Sequence, residues 1–195
     1  MVKDIIEQLL RNTKRKGIEK LLKYLDKSGF YTAPASTKFH GAAEGALALH
    51  SLNVYYTALE IATALCGERW VQDNESSLII CALLHDLGKA GQFGKPLYVA
   101  NFLKKGRSEA QPFKTNDELL TLDHEIVSVI EASKYIELTE EEQHAIAFHN
   151  GLYSTIGRYE LAGHETPLQM IIHFSDLWAS RILENKKGNV EGGET

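Results

Sequence analysis

Apolar positions recur at helical spacing through most of this 195-residue chain. Ile5, Ile6, Leu9 and Leu10 form one stripe; Gly17 interrupts it, and Ile18, Leu21, Leu22 and Leu25 begin a second. Residues 28–38 carry Gly29 and Pro34 and read as a loop. A long Ala- and Leu-rich helix is expected from about Gly41 to Leu65. Asp73 or Asn74 is the expected cap of the next helix, which runs through the apolar stretch 78–84 and stops near Gly88. Residues 90–118 hold Gly91, Gly94, Pro96, Gly106 and Pro112 and are the least helical part, an irregular segment and a candidate lid. Helical pattern resumes near Leu119 and runs through His124 to Tyr135. Thr139-Glu140-Glu141-Glu142 is a capping box for a helix ending near His149. Thr166-Pro167-Leu168-Gln169 starts a last helix that runs to about Leu183. The pattern is all-α: one helical domain over residues 1–184, then a Gly- and charge-rich tail, 185–195, expected to fray.

The informative positions break this pattern. His85-Asp86 closes the run Leu78-Ile79-Ile80-Cys81-Ala82-Leu83-Leu84. A carboxylate against such a run is costly to desolvate without a cationic partner, and a metal ion is the simplest one. Adjacent helical residues point about 100° apart, so the pair shares a site only near a helix end, where Gly88 places it. Asp176 lies in the apolar context Met170-Ile171-Ile172-His173-Phe174-Ser175 and needs a partner for the same reason. His50 sits in Ala46-Leu47-Ala48-Leu49, where a histidine alone is more often a satisfied core residue than a ligand. His124 and His149 lie between the His-Asp pair and Asp176.

Composition narrows the classes. The chain is 44% apolar, which fits a globular fold. Its formal net charge of −5 argues against general, charge-driven binding to nucleic acid or anionic membrane. Cys66 and Cys81 fit neither a zinc ribbon nor a redox pair and read as reduced core thiols of a cytoplasmic protein. The N-terminal residues lack the apolar stretch of a signal peptide, and the longest uncharged stretch, 45–59, is too short and too polar to span a bilayer.

Taken in order, His50, His85-Asp86 and Asp176 make a His, His-Asp, Asp set, and the match at His85-Asp86-Leu87-Gly88-Lys89 is close. The chain resembles the HD-domain superfamily of metal-dependent phosphohydrolases over about residues 41–180. The stretch Pro34-Ala35-Ser36-Thr37-Lys38-Phe39-His40-Gly41, leading to His50, is similar to bacterial and phage members and to the HD domain of some 3′–5′ exoribonucleases. The resemblance implies an all-helical bundle holding divalent metal through His50, His85, Asp86 and Asp176. It also implies two-metal capability, with His124 and His149 as the added ligands and Asp86 bridging, against the alternative that either histidine is a polar pocket residue contacting phosphate. An imidazole-rich site of this kind suits Mn²⁺, Fe²⁺, Co²⁺, Ni²⁺ or Zn²⁺, one or two ions per chain. Such an ion acidifies its water from about 15.7 toward about 7, so no covalent nucleophile is needed. Lys89, one helical turn after Asp86, is implied as a phosphate contact, against the alternative of a solvated cation at a helix C-terminus. His40 is a weaker candidate for phosphate binding or proton donation, against a loop histidine packed on Phe39. Lys95, Lys104, Lys105, Arg107 and Lys114 read mostly as solvated, with one or two candidates to close over an anion; His144 and His164 read as surface or structural, and His173 as structural or supporting.

The expectation is thus a metal-dependent phosphohydrolase, with Asp86, Lys89 and His40 in catalytic or substrate-contacting roles. Its expected substrate is a small phosphomonoester or phosphodiester, a nucleotide first. The alternatives are a 3′–5′ exonuclease on short single strands, disfavoured by the acidic charge, a di-iron oxygenase, and an HD-fold binding module without catalysis. An oligomer is compatible with everything above.

Overall fold

A computed structural model describes residues 1–38, 41–104, 106–120 and 122–185. Helix α1 (Val2–Asn12) buries Ile6 and Leu10, and α2 (Ile18–Ser28) buries Ile18, Leu21, Leu22 and Leu25, so both sequence stripes become core contacts. The turn between them requires glycine. Gly17 has a φ of 97°, and a Cβ there would meet the carbonyl oxygen of Tyr135 at 1.9 Å.

Helix α3 (Ala46–Cys66) is the central element. It buries residues on several faces, among them Leu47, Leu52, Val54, Tyr55, Ala58 and Ala62. Helix α4 (Glu68–Leu84) follows after Gly67, earlier than the expected cap. Asp73 is mid-helix and pairs with Arg69 at 2.8 Å. Residues 78–84 are fully buried, and the chain emerges from them through His85 and Asp86 into a single 3₁₀ turn, Leu87–Ala90. Cys81 is buried as expected, whereas Cys66, at the end of α3, is exposed.

Residues 90–118 carry more order than their composition suggests. They hold the short strands β1 (Tyr98–Ala100), β2 (Phe102–Leu103), β3 (Gly106–Arg107) and β4 (Phe113–Thr115). β1 pairs antiparallel with β4, Val99 opposite Lys114, and β2 with β3, Phe102 opposite Arg107. Segments of two or three residues are too short to show a period of two in the sequence. Several basic side chains here face local partners: Lys95 Nζ lies 3.4 Å from Glu118, Lys114 Nζ 2.5 Å from Asp117, and the Arg107 guanidinium 4.6 Å from the Phe113 ring centre. Lys105 lies outside the described residues.

Helix α5 (His124–Ser133) starts at His124 itself, later than the pattern implied, with Asp123 before it. Helix α6 (Glu140–Ala147) keeps the predicted capping box: Thr139 Oγ1 accepts from the Glu142 amide, and Glu142 Oε2 accepts from the Thr139 amide. A 3₁₀ turn, Gly151–Tyr153, and helix α7 (Thr155–Glu160) follow; the sequence pattern did not separate them. Helix α8 (Pro167–Trp178) has Thr166 as its cap, accepting from the Gln169 amide at 3.2 Å. It continues as a π-helical turn, Ala179–Leu183.

The layers follow from these faces. α3 packs between α4 and α8, α6 closes on α4 and α8, and the 3₁₀ turn after Asp86 packs on α5. Gly88 makes that last approach, since a Cβ there would meet the His124 carbonyl oxygen at 2.3 Å. Away from the site, Glu142 is fully buried, clamped by Arg15 from the α1–α2 turn and by the Ser77 hydroxyl of α4 at 2.7 Å. Burial resists its ionisation, but Arg15, Ser77 and the Thr139 amide outweigh this and hold it below the ordinary glutamate value. The expected tail at 185–195 falls outside the described residues from 186 onward.

Candidate metal centre

The out-of-pattern residues meet. His50 faces inward from the second turn of α3, His85 caps α4, and Asp86 follows it. His124 opens α5, His149 stands just beyond α6, and Asp176 lies near the end of α8. His50 Nε2 is 3.1 Å from Asp176 Oδ1, 3.3 Å from His85 Nε2 and 3.5 Å from Asp86 Oδ2. His85 Nε2 is 3.4 Å from the same Asp86 oxygen. On the other side, His124 Nε2 and His149 Nε2 lie 3.1 and 3.4 Å from Asp86 Oδ1. Among the described residues, three overlapping sets have donor atoms within 4.8 Å of one another: His50, His85 and Asp86; His85, His149 and Asp176; Asp86, His124 and His149.

Hydrogen bonds fix which ring nitrogens are bare. A carbonyl oxygen only accepts, so the nitrogen facing it carries the hydrogen. His85 Nδ1 donates to the Ala82 carbonyl at 2.9 Å and His149 Nδ1 to the Ile146 carbonyl at 2.8 Å. His50 Nδ1 faces both oxygens of Glu184, at 3.0 and 3.1 Å. In the neutral rings the Nε2 lone pairs therefore point at the centre. Asp86 Oδ1 is buried and has no hydrogen-bond partner among the described residues, although two imidazole nitrogens crowd it. Bare imidazole nitrogens around an orphaned carboxylate oxygen fit a divalent cation and leave a poor hydrogen-bond network without one.

The electrostatics carry the same demand for positive charge. Burial works against a charged His50, yet Asp176 and Glu184 outweigh it and push the imidazole up to about 10. Burial likewise opposes the Asp86 carboxylate, but Lys89, His85, His124 and His149 hold it well below the usual range. Asp176 is also lowered against its burial, chiefly by His50. Lys89 reaches the centre with Nζ 2.6 Å from Asp86 Oδ2.

A family model described as HD domain matches residues 47–179. The chain belongs to the HD domain family. Comparison with curated proteins and with solved structures finds no match. HD domains bind divalent metals and are typically metal-dependent hydrolases, and the buried His/Asp cluster could hold such a metal.

The HD domain brings together His50, His85, Asp86, Lys89, His124, His149 and Asp176, all expected from the sequence. His40 lies outside the described residues. Of the other histidines, His164 is exposed, and His144 is half-buried with its ring against Phe148. His173 supports the site: its Nδ1 donates to the His149 carbonyl at 2.7 Å, and its ring fills the space that a Cβ on Gly151 would need. Three participants went unnoticed in the sequence. Glu184 holds His50, Glu125 Oε2 lies 3.2 Å from His124 Nδ1, and the Asn150 amide donates to Glu125 while facing the His124 and His149 nitrogens at 3.4 and 3.1 Å. Their only signal is position, each next to or within a turn of an expected ligand or helix end.

Proposed function

We propose that this HD domain is a metal-dependent phosphohydrolase acting on a small phosphate ester, a nucleotide first among the candidates. One observation carries the reading: Asp86 turns Oδ2 toward His50 and His85 and Oδ1 toward His124 and His149, the disposition of a carboxylate shared between two cation positions. His50, His85, Asp86 and Asp176 would hold one divalent ion, and Asp86, His124 and His149 a second. Imidazole-rich donor sets suit Mn²⁺, Fe²⁺, Co²⁺, Ni²⁺ or Zn²⁺. Bound there, such ions supply an acidified water and polarise a phosphoryl oxygen.

The chain's own groups do the rest. The Nδ1–H bonds of His50, His85 and His149 keep their Nε2 lone pairs directed inward. Lys89, one turn from Asp86, offers an ammonium to a phosphoryl oxygen, and its contact with Asp86 keeps it in place until substrate arrives. A cavity of about 290 Å³ opens beside Lys89, walled by Thr32, Pro34, Tyr98 and Phe113, with Glu44 among its polar groups. Its size favours a small ester over a polymer, and its aromatic walls suit a flat heterocycle. His40, which precedes α3 in sequence, remains a proposed phosphate contact or proton donor.

The deciding experiment loads the chelated protein with Mn²⁺, Co²⁺ or Zn²⁺ in turn. It is then offered nitrophenyl phosphate mono- and diesters, nucleotides and short RNA. Metal-dependent phosphate release from the small esters supports the reading. Preferential trimming of RNA from its 3′ end replaces it with the exonuclease. Metal uptake without turnover on any of them leaves a binding module.

A further inference from the structure

We infer that Glu184 is a positioning residue that fixes the His50 imidazole with its Nε2 lone pair aimed at the metal centre. The inference rests on the metal-centre reading above.

His50 has a problem that His85 and His149 do not share. His85 and His149 stand at the ends of α4 and α6, where carbonyls of the last turn have no helical partner. Their Nδ1–H groups use those carbonyls, Ala82 and Ile146, so each ring is oriented by its own helix. His50 lies in the second turn of α3, where the ladder consumes the nearby carbonyls. Its Nδ1–H must find an acceptor on another element.

Glu184 supplies that acceptor with both oxygens, at 3.0 and 3.1 Å. Asn53, one turn beyond His50 on α3, donates its amide to Glu184 Oε1 at 3.0 Å and steadies the carboxylate. The π-helical turn explains how a residue so far along the chain arrives there. Asp176 and Glu184 are eight positions apart. In a continuous α-helix they would point about 80° apart. The Glu184 amide bonds back to the Ala179 carbonyl, a five-residue step, and one inserted residue returns Glu184 to within about 20° of the Asp176 direction. One segment thereby faces the imidazole at both nitrogens, with Glu184 accepting from Nδ1 and Asp176 Oδ1 3.1 Å from Nε2, where both could serve one cation. A helix continued without that turn would present Asp176 alone.

The test titrates the metal-free 195-residue chain with Co²⁺ and reads the visible d–d absorption of wild type, Glu184→Ala and Glu184→Gln. Circular dichroism checks the fold of each. Glu184→Ala is expected to weaken one class of Co²⁺ sites about 10–100-fold and to change its spectrum, with the second class unaffected. Glu184→Gln keeps an oxygen that accepts from Nδ1–H, so its loss stays below about tenfold. Wild-type affinity and spectrum in Glu184→Ala would overturn the inference while leaving the metal centre standing, as would equal losses in the two variants. No Co²⁺ uptake by wild type removes the metal centre and the inference with it. Nitrogen-15 NMR of His50 in the Zn²⁺-loaded wild type decides the point even if Glu184→Ala does not fold. Metal on Nε2 with a proton on Nδ1 supports the inference, and the reverse tautomer overturns it.

Discussion

Lys89 places its ammonium 2.6 Å from Asp86 Oδ2, the oxygen that also faces His50 and His85. The lysine is one turn beyond the carboxylate, and the 3₁₀ turn after Asp86 swings it back over the centre. On the proposed function, a cation there would compete with a divalent ion for the same oxygen, and an anionic substrate would draw it away. Lys89→Met is therefore expected to keep, or raise, metal affinity while lowering kcat by about 10²-fold on phosphate esters. Metal titration beside steady-state kinetics checks this. A variant with wild-type kcat would place Lys89 outside the reaction.

Asp86 is the residue on which both halves of the centre depend. Asp86→Asn preserves shape but removes the charge that faces four imidazoles. The expected outcome is loss of affinity at both cation positions and a fall in kcat/KM of at least about 10³-fold. A linked thermal measurement gives the same answer without substrate. Ligand at a hundredfold excess over Kd stabilises a native state by about 2.7 kcal/mol, so Mn²⁺ should raise the wild-type melting midpoint by about 5–10 °C. The Asn variant should show no such rise, and chelation should abolish it in wild type.

What the sequence disclosed about this centre follows from contrast. His50, His85, Asp86 and Asp176 stand inside apolar helices, where an ionisable residue is out of place, and all of them converge. Glu184 was hidden because Leu183-Glu184-Asn185-Lys186 is ordinary surface composition, and the π turn that redirects it leaves no periodic mark in the sequence. Asn150 and Glu125 were hidden for the same reason. Helix starts behaved alike. The Thr139 and Thr166 caps carry their signal in side chains that bond the next turn, and both were legible. The start of α4 depends on Gly67, with a φ of 85° and no side chain to read, so polar Asp73 drew the boundary too late.

Glu142 gives a pH dependence independent of the metal centre. Its pKa is lowered in the folded state, so its contribution to stability is present above the ordinary value of 4.5 and is lost as pH falls through the folded value. Glu142→Gln removes the charge and leaves Arg15 without it. The variant should be less stable than wild type near neutrality, and the difference should shrink as pH drops below 4.5. Arg15→Ala strands the buried carboxylate and should cost about 3–5 kcal/mol. Urea unfolding at a series of pH values reads both effects. A wild-type-to-Gln difference that stays constant across that range would show that the Arg15 clamp does not couple to ionisation.

Gly88 ties the 3₁₀ turn to α5 and so ties Asp86 to His124. Its φ is unexceptional; the constraint is contact, because a Cβ would sit 2.3 Å from the His124 carbonyl oxygen and 3.0 Å from Val127 Cβ. Gly88 also donates its amide to Ser128 Oγ at 2.8 Å, which in turn donates to the His124 carbonyl, so the turn and the first turn of α5 share one network. Gly88→Ala must push α5 outward, an overpacking cost of about 1–3 kcal/mol. That displacement moves His124 away from Asp86 Oδ1 and leaves the His50 side in place. The expected result is a folded protein with a lower melting midpoint that has lost the cation position built on His124 and His149 but keeps the other. Elemental analysis after Mn²⁺ loading, with wild type in parallel, measures the difference. Equal metal content in the two proteins would show that the close approach at Gly88 serves packing alone.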